Sequence, residues 1–460
     1  MEPVDVHINV CSPSREGSDV AMQQIAAAKP IKGTERTYRR MKKLVYVLLD
    51  GVGDRPDPKL GMRTPLEAAA TPNLDSLASR GSTGLVYTVG RGIAPESDVA
   101  VFHMLGYRLG EEYPGRGVIE AVGSDIDFRD GDLALRANFA TVDENMRIVD
   151  RRAGRDLSDS EARELAAALN REVRLEPPAE VLFRHTVGHR LVVRIRVPGV
   201  QLSSNITNTD PAYKKVGGMG VATSGSGDMR VEKANPLDGS HEAALAAQLV
   251  NEVTEEAYRV LNSHPVNSVR MRSGRLPANI ILMRDAGSKL PRLPSMSELH
   301  GLDVAAIADM PVEVGVARIL HMDVARSPEL LNYGWKSSKV IELLQSHDGV
   351  YVHLKGPDEP GHDGLPEVKM RSIELIDSGF FGPLLRELDL DRTIVAVSAD
   401  HSTPCQLKSH SDDPVPLLVS GGSVGRDGSR RFTEPEAARG SLGILEGPSV
   451  LPTIIGQYLR

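Results

Sequence analysis

Three runs of strand-forming apolar residues, each followed within a few positions by an aspartate, constrain this chain more than any other feature. Leu44-Val-Tyr-Val-Leu-Leu49 leads directly into Asp50, Gly349-Val-Tyr-Val-His-Leu354 reaches Asp358 through Lys355-Gly-Pro357, and Thr393-Ile-Val-Ala-Val-Ser398 reaches Asp400 through Ala399. Unbroken apolar runs suit strands covered on both faces, as in a parallel sheet between helix layers. Ligands of such sheets bind beyond the carboxyl ends of the strands. The three aspartates are therefore expected to converge on one site, although the chain between them is long.

The rest of the chain divides around these runs. Residues 1–40 hold no continuous apolar stretch of the kind a secretory signal needs; they read as a loose extension, with Met41 a candidate start. Residues 41–122 read as the first part of an α/β domain, 123–271 as an inserted α+β domain and 272–460 as the second part. A short helix is expected over Thr71–Gly81, where proline opens and glycine closes an apolar periodicity. Within the insertion, Leu191–Val197 alternates like a strand, Gly217–Gly227 reads as a mobile surface loop without a phosphate-loop signature, and His241–Leu261 has the three-to-four spacing of a helix that closes the insertion. The strand Ala278–Met283 is expected to lead back to the first domain.

Chemistry concentrates at the carboxyl ends. His353, His362, His401 and His410 cluster there among carboxylates. Asp358 and His362 stand four residues apart, and Asp400 and His401 are adjacent. Oxygen and imidazole donors without thiolate suit manganese, zinc or magnesium. Ser97 precedes the apolar stretch Val99–Leu105 and reads both as a helix N-cap and as a nucleophile whose transferred phosphoryl group would sit where helix amides favour an anion. A metal can activate such a hydroxyl without a histidine base. Arg116, Arg136, the segment Asp150-Arg-Arg-Ala-Gly-Arg155 and Arg284 offer guanidinium forks for carboxylate or phosphate.

Composition limits the partners. A net charge of −8, with one Trp, ten Tyr and seven Phe, disfavours a nucleic-acid surface. No apolar run approaches the ~18 residues of a membrane span. Cys11 and Cys405 are the only thiols, which excludes a disulfide framework and suits a cytoplasmic protein.

The motifs Leu49-Asp-Gly-Val-Gly-Asp-Arg-Pro56, Thr64-Pro-Leu-Glu-Ala-Ala69, Thr71-Pro-Asn-Leu-Asp75, Gly115-Arg-Gly117, Asn138-Phe-Ala-Thr141, Asp150–Arg155, Asp358-Glu-Pro-Gly-His-Asp-Gly364, Asp400-His401 and His410-Ser-Asp-Asp-Pro-Val-Pro416 occur in order. Together they resemble the archaeal-type cofactor-independent phosphoglycerate mutases of the alkaline phosphatase superfamily, from about Met41 to Arg460. The resemblance implies a metallophosphatase-like α/β domain, a mostly parallel sheet flanked by helices, interrupted by a smaller transferase domain. It implies one divalent metal held by Asp358, His362 and His410 and a second by Asp50, Ser97, Asp400 and His401. Manganese leads, with zinc, magnesium and cobalt open, and no 2,3-bisphosphoglycerate is needed. It further implies phosphoserine at Ser97 in the interconversion of 3-phosphoglycerate and 2-phosphoglycerate, a step of glycolysis and gluconeogenesis. Arg116, Arg136, Asp150, Arg151, Arg155, His189 and Arg284 become the candidates for holding the substrate.

Three stretches depart from the family pattern. Val314-Gly315 stands where several relatives carry Lys-Gly, so the basic residue expected near the nucleophile is absent or replaced by Lys336, Lys339 or Lys355. Ser327–Gly334 replaces a Gly-Ala-Thr-Gly loop, and Ser97 is followed by Asp-Val-Ala-Val-Phe instead of a polar continuation. A metal-dependent phosphatase or phosphotransferase acting on another small phosphorylated metabolite is the alternative reading.

Overall fold

The computed structural model describes residues 42–459 except 177–178, 217–218 and 223–228. The N-terminal extension, the candidate start Met41 and most of the Gly217–Gly227 loop lie outside the described residues. The apolar runs become strands. Lys43–Leu49 (β1) and Ser82–Tyr87 (β2) come first. Leu133–Val142 (β3), Ile148–Asp150 (β4), Glu180–His185 (β5), Arg190–Arg196 (β6), Tyr213–Val216 (β7), Met219–Ala222 (β8) and Ile280–Gly287 (β9) follow. The chain ends through Val304–Ile307 (β10), Asp323–Ala325 (β11), Gly349–Leu354 (β12), Thr393–Ser398 (β13), Val415–Ser420 (β14) and Gly443–Glu446 (β15).

One sheet has the order β11-β10-β12-β1-β13-β14-β2-β15. Its pairs from β11 to β13 are parallel, β14 is antiparallel to both neighbours, and β15 is again parallel to β2. The result is an α/β fold whose large, mostly parallel sheet is flanked by helices. Every residue of β12 and β13, and all of β1 beyond Lys43, is buried. At about 1.5–3 kcal/mol per large apolar side chain, that burial supports a row of carboxylates at the strand ends. The register sets Leu49 level with Leu354 and Leu48 level with Ser398, so Asp50, Asp358 and Asp400 leave the sheet along one edge. Among the described residues no helix is long and apolar enough to cross a membrane.

The second sheet has β3 at its centre, with β6, then β5, on one side and β4 and β9 pairing along the other. The helix expected at His241–Leu261 spans His241–Asn262 and starts at Ser240, whose hydroxyl accepts from Ala243 N. It does not close the insertion. A further helix, Pro265–Arg272, follows, and β9 then pairs antiparallel with β3 before the chain returns to the first sheet at β10. An expected boundary near 272 therefore coincides with the edge of neither sheet. The cause is that an unbroken apolar strand suits either sheet, whereas β3, buried at all ten positions, needs partners on both edges.

Two helices cross closely between the sheets. Gly123 of Arg116–Gly123 and Gly315 of Pro311–Ile319 leave no room for a Cβ, which would meet Pro311 O and Ile119 O respectively. The glycine of Val314-Gly315 thus serves this crossing, and Val314 beside it is fully buried.

Candidate active site

The strand ends build a cluster of carboxylates and imidazoles. Gly51 has φ +61°, and a Cβ there would lie 2.7 Å from both Asp358 Oδ1 and Thr403 Oγ1; only glycine lets the first loop approach the others so closely. Asp358 opens the helical turn Asp358–Asp363, which places His362 one turn on with Nε2 3.5 Å from Asp358 Oδ1. His401 Nδ1 and His410 Nε2 lie 3.9 and 3.7 Å from the same oxygen. The His401 and His410 rings stack with centroids 3.7 Å apart, and His362 adds a third ring 5.1 Å from His410.

Hydrogen bonds select the tautomers. His410 Nδ1–H donates to Pro95 O at 2.7 Å and His362 Nδ1–H to Lys408 O at 3.1 Å. Thr403 Oγ1 donates to Asp358 Oδ1 at 2.7 Å and so accepts from His401 Nδ1–H at 3.0 Å. Each ring is left with Nε2 as its acceptor nitrogen, the form in which histidine binds a metal. Burial, with the neighbouring His401 ring, lowers the pKa of His410, and burial lowers that of His401.

This donor set fits divalent cations. Asp358, His362 and His410 present ligand atoms within 4.8 Å of one another, as do Asp50, Asp358 and His401, and Asp50, His353 and Asp400. Asp50 Oδ1 and Asp400 Oδ2 are buried without hydrogen-bond partners, a costly state that a cation relieves. Burial and the Asp50 carboxylate push Asp400 up to about 7.

Ser97 is the first residue of the helix Ser97–Met104, and Glu96, not Ser97, is the N-cap. Ser97 Oγ is thereby free to donate to His401 Nε2, 3.2 Å away. Of the three lysines considered as a replacement base, only Lys355 reaches this site. Its ammonium donates to Glu313 Oε1 at 2.6 Å and lies 3.1 Å from Asp50 Oδ2. Lys336 is buried against Asp309 and Leu330 O, and Lys339 lies over the Trp335 ring. The divergent Ser327–Gly334 segment ends beside Lys355, whose carbonyl accepts from Tyr333 Oη at 2.7 Å.

The second sheet contributes the arginines. Arg136 on β3 is level with Arg284 on β9, and Asn138, two residues on, is level with Arg190 on β6. The two-residue period puts all four on one face. Arg116 opens its helix and donates to Glu120 Oε1 at 2.9 Å and to Glu96 Oε2 at 3.0 Å, beside Ser97. Asp210, buried, takes both a fork from Arg151 at 3.0 and 2.5 Å and a bond from Arg284 at 2.9 Å, with the Tyr213 ring 4.0 Å from the Arg284 guanidinium. Arg155 reaches Asp363, beside His362, at 3.4 Å. Burial and the surrounding arginines, Arg190 and Arg136 foremost, push His189 down to about 3. The Asp150 carboxylate is taken up by the turn it starts, accepting from Arg152 N at 2.7 Å and Gly154 N at 3.0 Å.

Arg190, Thr403, Glu120, Asp210 and Tyr213 were not singled out from the sequence. Arg190 was within reach of the two-residue strand period, one position ahead of the expected strand, and Glu120 of the four-residue helical spacing from Arg116; the others depend on contacts between distant segments.

Lys369 fastens the loops together. Fully buried, it donates to Asp54 Oδ2 at 2.9 Å, Gly53 O at 3.0 Å and Thr403 O at 2.9 Å. Replacing it by methionine removes the countercharge of the buried Asp54 carboxylate, so Lys369→Met is expected to cost about 3 kcal/mol of stability. Urea unfolding of both proteins measures this; a loss under 1 kcal/mol would deny the clamp.

A family model described as 2,3-bisphosphoglycerate-independent phosphoglycerate mutase matches residues 78–267. A protein of that name from Aeropyrum pernix is 45% identical over 428 residues, covering 90% of this chain and 97% of its own. A solved cofactor-independent phosphoglycerate mutase from Thermoplasma acidophilum superimposes with TM-score 0.61 at 35% identity, covering 90% of this chain and 99% of that one. A Pyrococcus horikoshii structure does so with TM-score 0.73 at 30% identity, over 90% and 97% of the two chains.

Proposed function

Because the chain belongs to the 2,3-bisphosphoglycerate-independent phosphoglycerate mutases and so interconverts 3-phosphoglycerate and 2-phosphoglycerate, we propose that the phosphoryl group travels through Ser97 beside two divalent cations. The observation that carries this reading is the contact of Ser97 Oγ with His401 Nε2 at 3.2 Å, which sets a hydroxyl at a helix N-terminus against the donor cluster. Asp358, His362 and His410 would hold one cation, and Asp50, Ser97, Asp400 and His401 the other. Such cations, when bound, lower a hydroxyl's pKa and neutralise phosphoryl oxygens. Manganese is the leading candidate; zinc, magnesium and cobalt suit the same donors.

The chain's own residues supply the remainder. Ser97 Oγ takes the phosphoryl group, and the first amides of its helix favour the resulting anion. Arg136, Arg190 and Arg284, on one face of the second sheet, hold the phosphate and carboxylate of the glycerate, with Arg116, Arg151 and Arg155 around them. Neutral His189 offers a hydrogen bond instead of a charge. The glycerate reorients and takes the group back on its other hydroxyl. Water must be excluded meanwhile, or phosphoserine is hydrolysed; the inserted part does this, with Arg155 and Asp363 as its closing contact.

Phosphorus NMR on metal-loaded protein supplied with 3-phosphoglycerate tests the reading. The expected product is 2-phosphoglycerate without accumulating free phosphate, abolished by chelator and restored by manganese. Free phosphate in place of the isomer would overturn protected transfer and favour a phosphatase.

A further inference from the structure

Behind Asp50 and Asp400 lie two donors that the reaction does not use, Glu313 and His353. His353 Nε2 is 3.7 Å from Asp50 Oδ1, 3.9 Å from Asp400 Oδ2 and 3.6 Å from Glu313 Oε1. These gaps are too long for hydrogen bonds, and His353 Nε2, Asp50 Oδ1, Asp400 Oδ2 and Glu313 Oε2 are buried without partners. Tyr351 Oη bonds His353 Nδ1 at 2.8 Å and fixes the ring. Separations of ~3.4 Å are what donors ~2.1 Å from a common tetrahedral cation adopt. One cation already reaches this group: Lys355 Nζ lies 2.6 Å from Glu313 Oε1 and 3.1 Å from Asp50 Oδ2.

We propose that Asp50, Glu313, His353 and Asp400 form a third cation pocket, in which the Lys355 ammonium stands as the resident cation in place of a divalent ion. The lysine engages Asp50 Oδ2 and leaves only Oδ1 to a metal. It also supplies one positive charge that does not depend on metal supply. Its presence limits the chain to two ions, a statement that rests on the two-cation reading above.

The test counts ions. Metal-free wild type, Lys355→Ala and the double variant Glu313→Gln/Lys355→Met are loaded with manganese, gel-filtered and analysed by elemental mass spectrometry. Two equivalents are expected for wild type, three for Lys355→Ala and two for the double variant, which loses the carboxylate and the ammonium together. Two or fewer in folded Lys355→Ala, or three in the double variant, overturns the pocket. A wild type that does not hold two defeats the two-cation reading instead. If Lys355→Ala is recovered unfolded, refolding with manganese is expected to rescue it in proportion to the ion added; failure of every divalent ion to rescue it overturns the proposal.

Discussion

Ser97→Ala is expected to lower turnover of 3-phosphoglycerate by about 10⁴- to 10⁶-fold, the range seen when a covalent nucleophile is deleted from an assembled site. Only Oγ is removed. Its bond to His401 Nε2 is the one side-chain contact at risk. Asp358 and the three imidazoles keep their own partners through Thr403, Lys408 and Pro95. Metal content by elemental mass spectrometry should fall only in part, since Asp50, Asp400 and His401 remain for the second cation and all ligands of the first are untouched, while transfer collapses. Acid-quenched protein incubated with substrate should carry phosphoserine in wild type and none in the variant. Turnover within tenfold of wild type would remove Ser97 from the reaction.

What could be read from the sequence divides by the range of the interaction. The convergence of Asp50, Asp358 and Asp400 was legible because each lies a few residues past an unbroken apolar run, and burial on both faces implies parallel strands. The pairing of Asp358 with His362 was legible because four residues make one helical turn. Ser97 was misplaced by one position, as a cap instead of the first helical residue, because Glu96 has the extended backbone that capping requires. The sheet to which β9 belongs was not legible, since its composition satisfies either. Thr403 was hidden for a different reason. Its value lies in being donor to Asp358 and acceptor from His401 at once, and no local pattern marks a hydroxyl for that. The Glu313–Lys355 pair joins a helix and a strand end that only the fold brings together.

Asp358→Asn separates holding the metals from moving the phosphoryl group. Asparagine keeps the shape of the side chain and can still accept from Thr403, so the fold is expected to survive. What disappears is the negative charge that His362, His401 and His410 surround. Losing a buried charge partner costs about 3–5 kcal/mol, which at 1.36 kcal/mol per decade means metal affinity weaker by about 10²- to 10⁴-fold. Asp358 takes part in two of the three donor groups, so the loss should extend past the ion held with His362 and His410. Titration with manganese against a chromophoric chelator measures it, and wild-type affinity for both ions would take Asp358 out of the ligand set. The two variants then respond oppositely to added metal. Excess manganese should restore part of the activity of Asp358→Asn, whose nucleophile is intact, and none of that of Ser97→Ala, which has no hydroxyl to take the phosphoryl group.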